Sequence, residues 1–131
     1  MEFTISTNKK QEFIDITQKI KDIVEKSKTN KGICNIFVPH ATAAVTINEN
    51  ADPNLSLDII EALDDTCSKK VWRHDALDNN AASHIKSAII GPSETIPISN
   101  GELVLGTWQD IFLCEFDGPR KRRIITTIIK E

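Results

Sequence analysis

Apolar and polar residues alternate through Glu2, Phe3, Thr4, Ile5 and Ser6, which predicts a short strand. The period then lengthens. Phe13, Ile16, Ile20, Ile23 and Val24 recur at helical spacing among lysines and acids. They predict one amphipathic helix over roughly residues 11–27, ended at Asn30-Lys31-Gly32. Ile33 to Val38 is a nearly continuous apolar run, read as a central strand that Pro39 breaks. Ala43 to Asn48 reads as a further strand. Val45, Ile47 and Glu49 share one face of it, and Thr46, Asn48 and Asn50 the other.

Asp52-Pro53 is a cap followed by a helix-starting proline. Leu55, Ile59, Ala62, Leu63 and Cys67 mark the buried stripe of that second helix, with Asp58, Glu61, Asp64 and Asp65 on a solvated face. Residues 71–79 read as a loop. Asn80 is placed to cap a third helix that runs to Ile90 and stops at Gly91-Pro92. Its apolar arc is Ala81, Ala82, Ile85, Ala88 and Ile89, with His84 at the edge. Beyond it, Thr95–Ser99 and Glu102–Leu105 flank Asn100-Gly101, the strongest short hairpin signal. Asp110–Phe116 is another strand, Asp117-Gly118-Pro119 turns the chain, and Arg123–Lys130 closes it as an Ile- and Thr-rich strand. Strands with intercalated helices give an α+β class: one compact domain over 1–131, with a mixed or antiparallel sheet and about three helices.

Length and composition narrow the partners. A chain of 131 residues buries roughly two thirds of its unfolded surface, enough for a core without staples. Its net charge of −3 gives no global electrostatic case for nucleic acid. No apolar stretch approaches a membrane span and the N-terminus has no signal pattern, so a cytoplasmic protein is expected. Cys34, Cys67 and Cys114 are odd in number and contain no C-x-x-C pair, which favours buried free thiols over zinc or disulfides. Asn35 and Asn48 are polar on strands and need partners that a subunit interface can supply.

The candidate chemistry sits with the three histidines. His40, His74 and His84 are the only imidazoles. His74 adjoins Asp75, and His84 follows Asn79-Asn80. Their spacing matches no zinc-finger or H-E-x-x-H pattern, so metal ligation and acid–base work both stay open. A lone histidine is more often a hydrogen-bonded structural residue, and for His40 alone that reading is preferred. In Asn48-Glu49-Asn50-Ala51-Asp52, amides and acids after a strand suit a hard cation or a phosphate. Asp52 is explained by capping, whereas Glu49 has no such structural reason. Gly106-Thr107-Trp108-Gln109 offers a flat wall with an amide beside it, suited to an aromatic ring or simply to packing. Arg120-Lys121-Arg122-Arg123 is a phosphate clamp or a charged edge strand, and alternation sends only half of the four to one face.

One pattern covers nearly the whole chain. His40…Asn48-Glu49-Asn50-Ala51-Asp52-Pro53, His74-Asp75 and His84-Ile85-Lys86-Ser87 precede the block from Ser93 through Gly101 to Gly106-Thr107-Trp108-Gln109, and Glu115 follows it. This resembles the YjbQ-like family. The resemblance implies a compact α+β fold, a homotrimer and, for some members, thiamine-phosphate synthase activity. That reaction joins a pyrimidine pyrophosphate to a thiazole phosphate and releases pyrophosphate. It also implies a divalent metal, zinc or magnesium. Carried onto this chain, the implied catalytic residues are His40, Glu49, His74, Asp75 and His84, with the three histidines as metal ligands. The implied substrate contacts are Asn48, Asn50, Trp108, Gln109, Glu115 and Arg120, on a small phosphorylated metabolite. The alternative is a trimeric module that binds such a ligand, or an anion, without turnover.

Overall fold

The computed structural model describes residues 1–131. In chain order the elements are β1 (Glu2–Ser6), β2 (Glu12–Asp15), α1 (Thr17–Ser27), β3 (Gly32–Phe37), β4 (Ala43–Asn48) and α2 (Pro53–Cys67). They continue with α3 (Asp75–Asp78), α4 (Ala81–Ile90), β5 (Ser93–Ser99), β6 (Glu102–Leu103), β7 (Asp110–Glu115) and β8 (Lys121–Lys130). Two antiparallel sheets form, one in the order β1-β8-β3-β5-β6 and one in the order β2-β7-β4. The α+β class follows. No helix is long and apolar enough to cross a membrane.

Strand β7 explains the layering. Ile111 and Leu113 point to a core shared by both sheets and α1, with Ile20, Val24, Ile36, Val45, Ile96 and Ile124. Phe112, Cys114 and Phe116 point the other way, into a smaller cluster with Ala44, flanked by Phe13, Leu63 and Ile90. β7 is therefore covered on both faces, and the next inward position after Leu113 is Glu115, fully buried. All three cysteines are free and buried, and burial pushes the Cys34 thiol up to about 11.

The expected strands and turns recur with small shifts of their ends. Asn100 and Gly101 both adopt positive φ (53° and 78°), as a two-residue hairpin turn requires, and Ser99 faces Glu102. The Asp52 carboxylate accepts the Asn54 N–H at 2.9 Å ahead of Pro53. Three helical readings need correction. The expected helix over 11–27 is two elements, because Glu12–Asp15 pairs with β7 and packs Phe13 beside Phe112 and Phe116. The helix starts only after the Asp15 carboxylate has taken the Thr17 N–H. The expected loop 71–79 contains the single turn α3, and Asp75, not Asn80, accepts the first amide of α4, that of Ala81.

The third correction concerns α4, which fully buries only Ala81 of its apolar arc. It buries Ala81, Ser83, Lys86 and Ser87 and leaves Ile89 57% exposed. Ser83 Oγ donates to the Phe116 carbonyl at 2.7 Å, and Lys86 reaches Asp64 and Gln11. Asp64 is thus drawn off the solvated face assigned to it. Asn35 finds partners within the chain, its amide donating to Ser93 Oγ and Thr95 Oγ1. β8 is no edge strand, since it lies between β1 and β3.

Candidate functional site

The most tightly built polar group lies where β7 hands over to β8. Arg122 donates through Nε to Glu115 Oε2 at 2.7 Å and through Nη2 to Oε1 at 2.5 Å. Nη2 also donates to the Thr42 carbonyl and hydroxyl. Thr7 Oγ1 and the Asp117 N–H complete Glu115. Alternation along β8 sends Arg122 inward and leaves Lys121 and Arg123 outside. Glu115 is 0% exposed and Arg122 2%. Glu115, which the resemblance implies as a substrate contact, is sealed from solvent and paired with Arg122, and so forms the frame of this polar group.

Asp117, two residues on, joins the surroundings to that frame. Its carboxylate accepts from Asn80 Nδ2 at 2.9 Å, from Arg120 Nη2 at 3.1 Å and from Lys10 Nζ. Burial alone would raise its pKa, but the Asn80 and Lys10 hydrogen bonds, with the charges of Lys10 and Arg120, hold it below the usual carboxylate range. Arg120 also donates through Nε to the Asp117 carbonyl, and its side chain stays half exposed. A guanidinium fixed at one edge and open at the other is poised for an oxyanion.

His40 lies beside this cluster. Its Nε2 accepts the Arg123 backbone N–H at 2.8 Å. Burial depresses its pKa, and Arg122, Arg123 and Arg120 push the same way against Glu115. The neutral imidazole therefore carries its proton on Nδ1 and offers a donor there. His74 and His84 meet each other instead, edge to face with centroids 4.7 Å apart. His74 Nε2 lies 3.5 Å from Asp78 Oδ2 and has no hydrogen-bond partner. Asp75 accepts the N–H groups of Trp72 and Ala81, one on each oxygen, and these bonds hold its pKa down. It fixes the α3–α4 corner.

The remaining expected residues gather at the other end of the β4–β7 pair. Ala43 faces Glu115, whereas Asn48 faces Asp110. The two ends are five residue steps apart, roughly 17 Å. At the far end Asn50 binds Asp110 and Asp15, Glu49 is half-buried after the strand, and Asn48 Oδ1 accepts the Glu49 N–H. Trp108 is 64% exposed on a turn, and Gln109 Oε1 closes that turn on the Gly106 N–H. The chain thus carries two polar ends where the sequence suggested one site. The sequence reading gave no role to Lys10 or Thr42, placed Asp64 on a solvated face, and named Lys86 only within the family pattern. Arg122 had a signal, the inward half of the alternation.

Within this chain His74 and His84 meet, and His40 does not join them in one ligand set. No group of three or more His, Cys, Asp and Glu side chains is arranged to hold an ion, and the Nε2 of His40 is already engaged.

The comparisons agree with the fold. The family model described as UPF0047 protein YjbQ-like matches residues 1–131. The chain is similar to UPF0047 protein MJ1081 of Methanocaldococcus jannaschii, 48% identical over 127 residues, covering 97% of this chain and 91% of the relative. It is similar to UPF0047 protein YugU of Bacillus subtilis, 41% identical over 121 residues, covering 90% and 89%. The crystal structure of a YbjQ-like protein of unknown function from Sulfolobus solfataricus superposes with a TM-score of 0.97 at 40% identity, covering 100% of this chain and 96% of that one. The chain belongs to the UPF0047 YjbQ-like family.

Proposed function

We propose that this member of the YjbQ-like family is an enzyme acting on small phosphorylated metabolites, with its working groups at the C-terminal end of β7. The supporting observation is His40, neutral and offering Nδ1–H in a field set by Arg120, Arg122 and Arg123. A hydrogen-bond donor among fixed guanidinium groups stabilises charge that develops on a phosphoryl oxygen. In this reading Arg120 holds the oxyanion, His40 donates to it, and the Glu115–Arg122 pair keeps both in place. The reaction favoured is the one the family resemblance suggests. A bond forms between the pyrimidine and thiazole parts as the bond to pyrophosphate breaks.

The assay is direct. Purified protein, with magnesium or with zinc, is incubated with the pyrimidine pyrophosphate and thiazole phosphate, and thiamine phosphate and pyrophosphate are measured. Product is expected from wild type, with a loss of about 10²-fold or more in His40→Ala and Arg120→Ala. Turnover should fall on the acid side, because protonating His40 costs it the Arg123 bond. The sign is fixed by the depressed pKa. The contribution of neutral His40 to stability and activity is present above pH about 6.5 and is lost as pH falls through the lower folded value. Saturable binding of either phosphate without product would favour the non-catalytic module instead.

We further propose that the chain works as a homotrimer. Ile33, Ile129 and Pro97 face one another across three strands on the outer side of the larger sheet, and Phe37 lies beside Ile125. Ile33, Phe37 and Ile129 are 38%, 39% and 57% exposed, an apolar patch of the kind that subunits cover. Light scattering should give three times the 14.6 kDa chain mass, and Ile129→Glu should lower it. Wild type at the mass of one chain would sink the trimer.

A further inference from the structure

Asn80 stands at the N-terminus of α4 but does not cap it. Its side chain makes no bond to the helix that follows, and Asp75 Oδ1 takes the first amide of α4, that of Ala81. An asparagine in this place ordinarily turns its oxygen onto its own helix. Here the amide turns to another part of the chain, and Nδ2 donates to Asp117 Oδ2 at 2.9 Å.

Both ends of that bond are braced. The Asn80 carbonyl accepts the Ser83 and His84 N–H groups at 3.1 and 3.3 Å. Ser83 Oγ in turn donates to the carbonyl of Phe116, the residue before Asp117. The Asp117 N–H donates to Glu115 Oε1, inside the buried frame. Lys10 also donates to the Asp117 carboxylate, on the other oxygen, but its side chain is 61% exposed. A lysine has far more rotamer freedom to lose than an asparagine. Of these two donors, Asn80 is the rigid one.

The oxygen that takes Asn80 also takes Arg120. Arg120 Nη2 donates to Asp117 Oδ2 at 3.1 Å, and Nε donates to the Asp117 carbonyl at 2.7 Å. A guanidinium has five N–H groups, and two are used here. Both hydrogens of Nη1 and one of Nη2 are left, on a side chain that is 52% exposed. They form an outer edge that a phosphoryl group can meet with two parallel bonds. The direction of that edge follows the rotamer of the Asp117 carboxylate, and Asn80 holds that rotamer.

We infer that Asn80 is a positioning residue: acting through Asp117, it aims the open edge of Arg120. The inference rests on the reading of Arg120 as the group that holds the oxyanion. It adds the α3–α4 corner, which Asp75 fixes, to the working parts of that site.

The test is a double-mutant cycle on the binding of inorganic pyrophosphate, measured by calorimetry on wild type, Asn80→Ala, Arg120→Ala and the pair. Asn80→Ala loses no capping bond, so its circular dichroism should match wild type. Arg120→Ala should weaken binding by about tenfold or more. Asn80→Ala should weaken it by about fivefold, the cost of ordering one long side chain that is no longer held. In the Arg120→Ala background, Asn80→Ala should change nothing, because no guanidinium is left to aim. A second readout needs no ligand. The Arg120 Nε–H resonance, identified by its loss in Arg120→Ala, should exchange with water faster in Asn80→Ala. Unchanged affinity in Asn80→Ala, an unchanged exchange rate, or an equal loss in both backgrounds would overturn the inference and leave Arg120 as the oxyanion group. No binding by wild type at ~10 mM, or full affinity in Arg120→Ala, would end the oxyanion reading and this inference with it.

Discussion

Arg122→Ala is expected to destabilise the fold by about 3–5 kcal/mol, the cost of removing one partner from a buried ion pair. Arg122 supplies both of the charged hydrogen bonds to Glu115. Without it, a carboxylate with no solvent access keeps only the Thr7 hydroxyl and the Asp117 N–H. Thr42 loses the donor to its carbonyl and hydroxyl as well. Against a total stability of ~5–15 kcal/mol for a domain, this loss decides whether the protein is folded at all. Urea denaturation read by far-UV circular dichroism measures it. The double replacement Glu115→Gln with Arg122→Met leaves no buried charge and should recover a substantial part. If Arg122→Ala costs less than ~1 kcal/mol, Glu115 is relieved by water or a proton and does not frame the site.

The parts of the fold that the sequence disclosed are those set by local chemistry. Asn100-Gly101 makes its turn because both residues tolerate positive φ. Asp52-Pro53 starts α2 because cap and ring act within three residues. The misread parts depend on distant neighbours. Phe13, Ile16 and Ile20 fit a helical period, but an open edge of β7 claims residues 12–15 first. The buried face of α4 follows Ser83 and Lys86 because Phe116, Gln11 and Asp64 wait there, and none is local to the helix. The site divides in the same way. His74 and His84, ten positions apart, do meet across the α3–α4 corner. Glu115 finds Arg122, Thr7 and Thr42 only through strand pairing, which one sequence does not display. The Asn48 and Trp108 groups looked adjacent to the histidines in motif order. The length of β4 holds them apart.

Gly118→Ala is expected to destabilise the fold by about 3 kcal/mol, the upper end for overpacking, and to abolish the working end of β7 with it. A Cβ at this position would overlap the Lys9 carbonyl oxygen and lie 2.9 Å from both Glu115 Cγ and Thr7 Oγ1. The Lys9 oxygen belongs to the backbone, so no rotamer change relieves the overlap. The chain at Thr7–Lys10 must retreat, and it is pinned where it is. Gly118 N–H donates to the Lys10 carbonyl at 3.0 Å, and Thr7 N–H to the Arg120 carbonyl at 2.9 Å. Retreat therefore breaks Thr7 from Glu115 and Lys10 from Asp117 in one movement. Gly101→Ala is the comparison. It also replaces a glycine, at φ +78°, but a Cβ there meets nothing within 4 Å, so only the backbone penalty of about 1 kcal/mol applies. Thermal or urea unfolding of the two variants separates crowding from backbone strain. Gly118→Ala should lose phosphate-ester binding even below its unfolding transition, while Gly101→Ala keeps it. Equal stability of the two variants would mean that residues 7–10 yield freely and do not clamp the site.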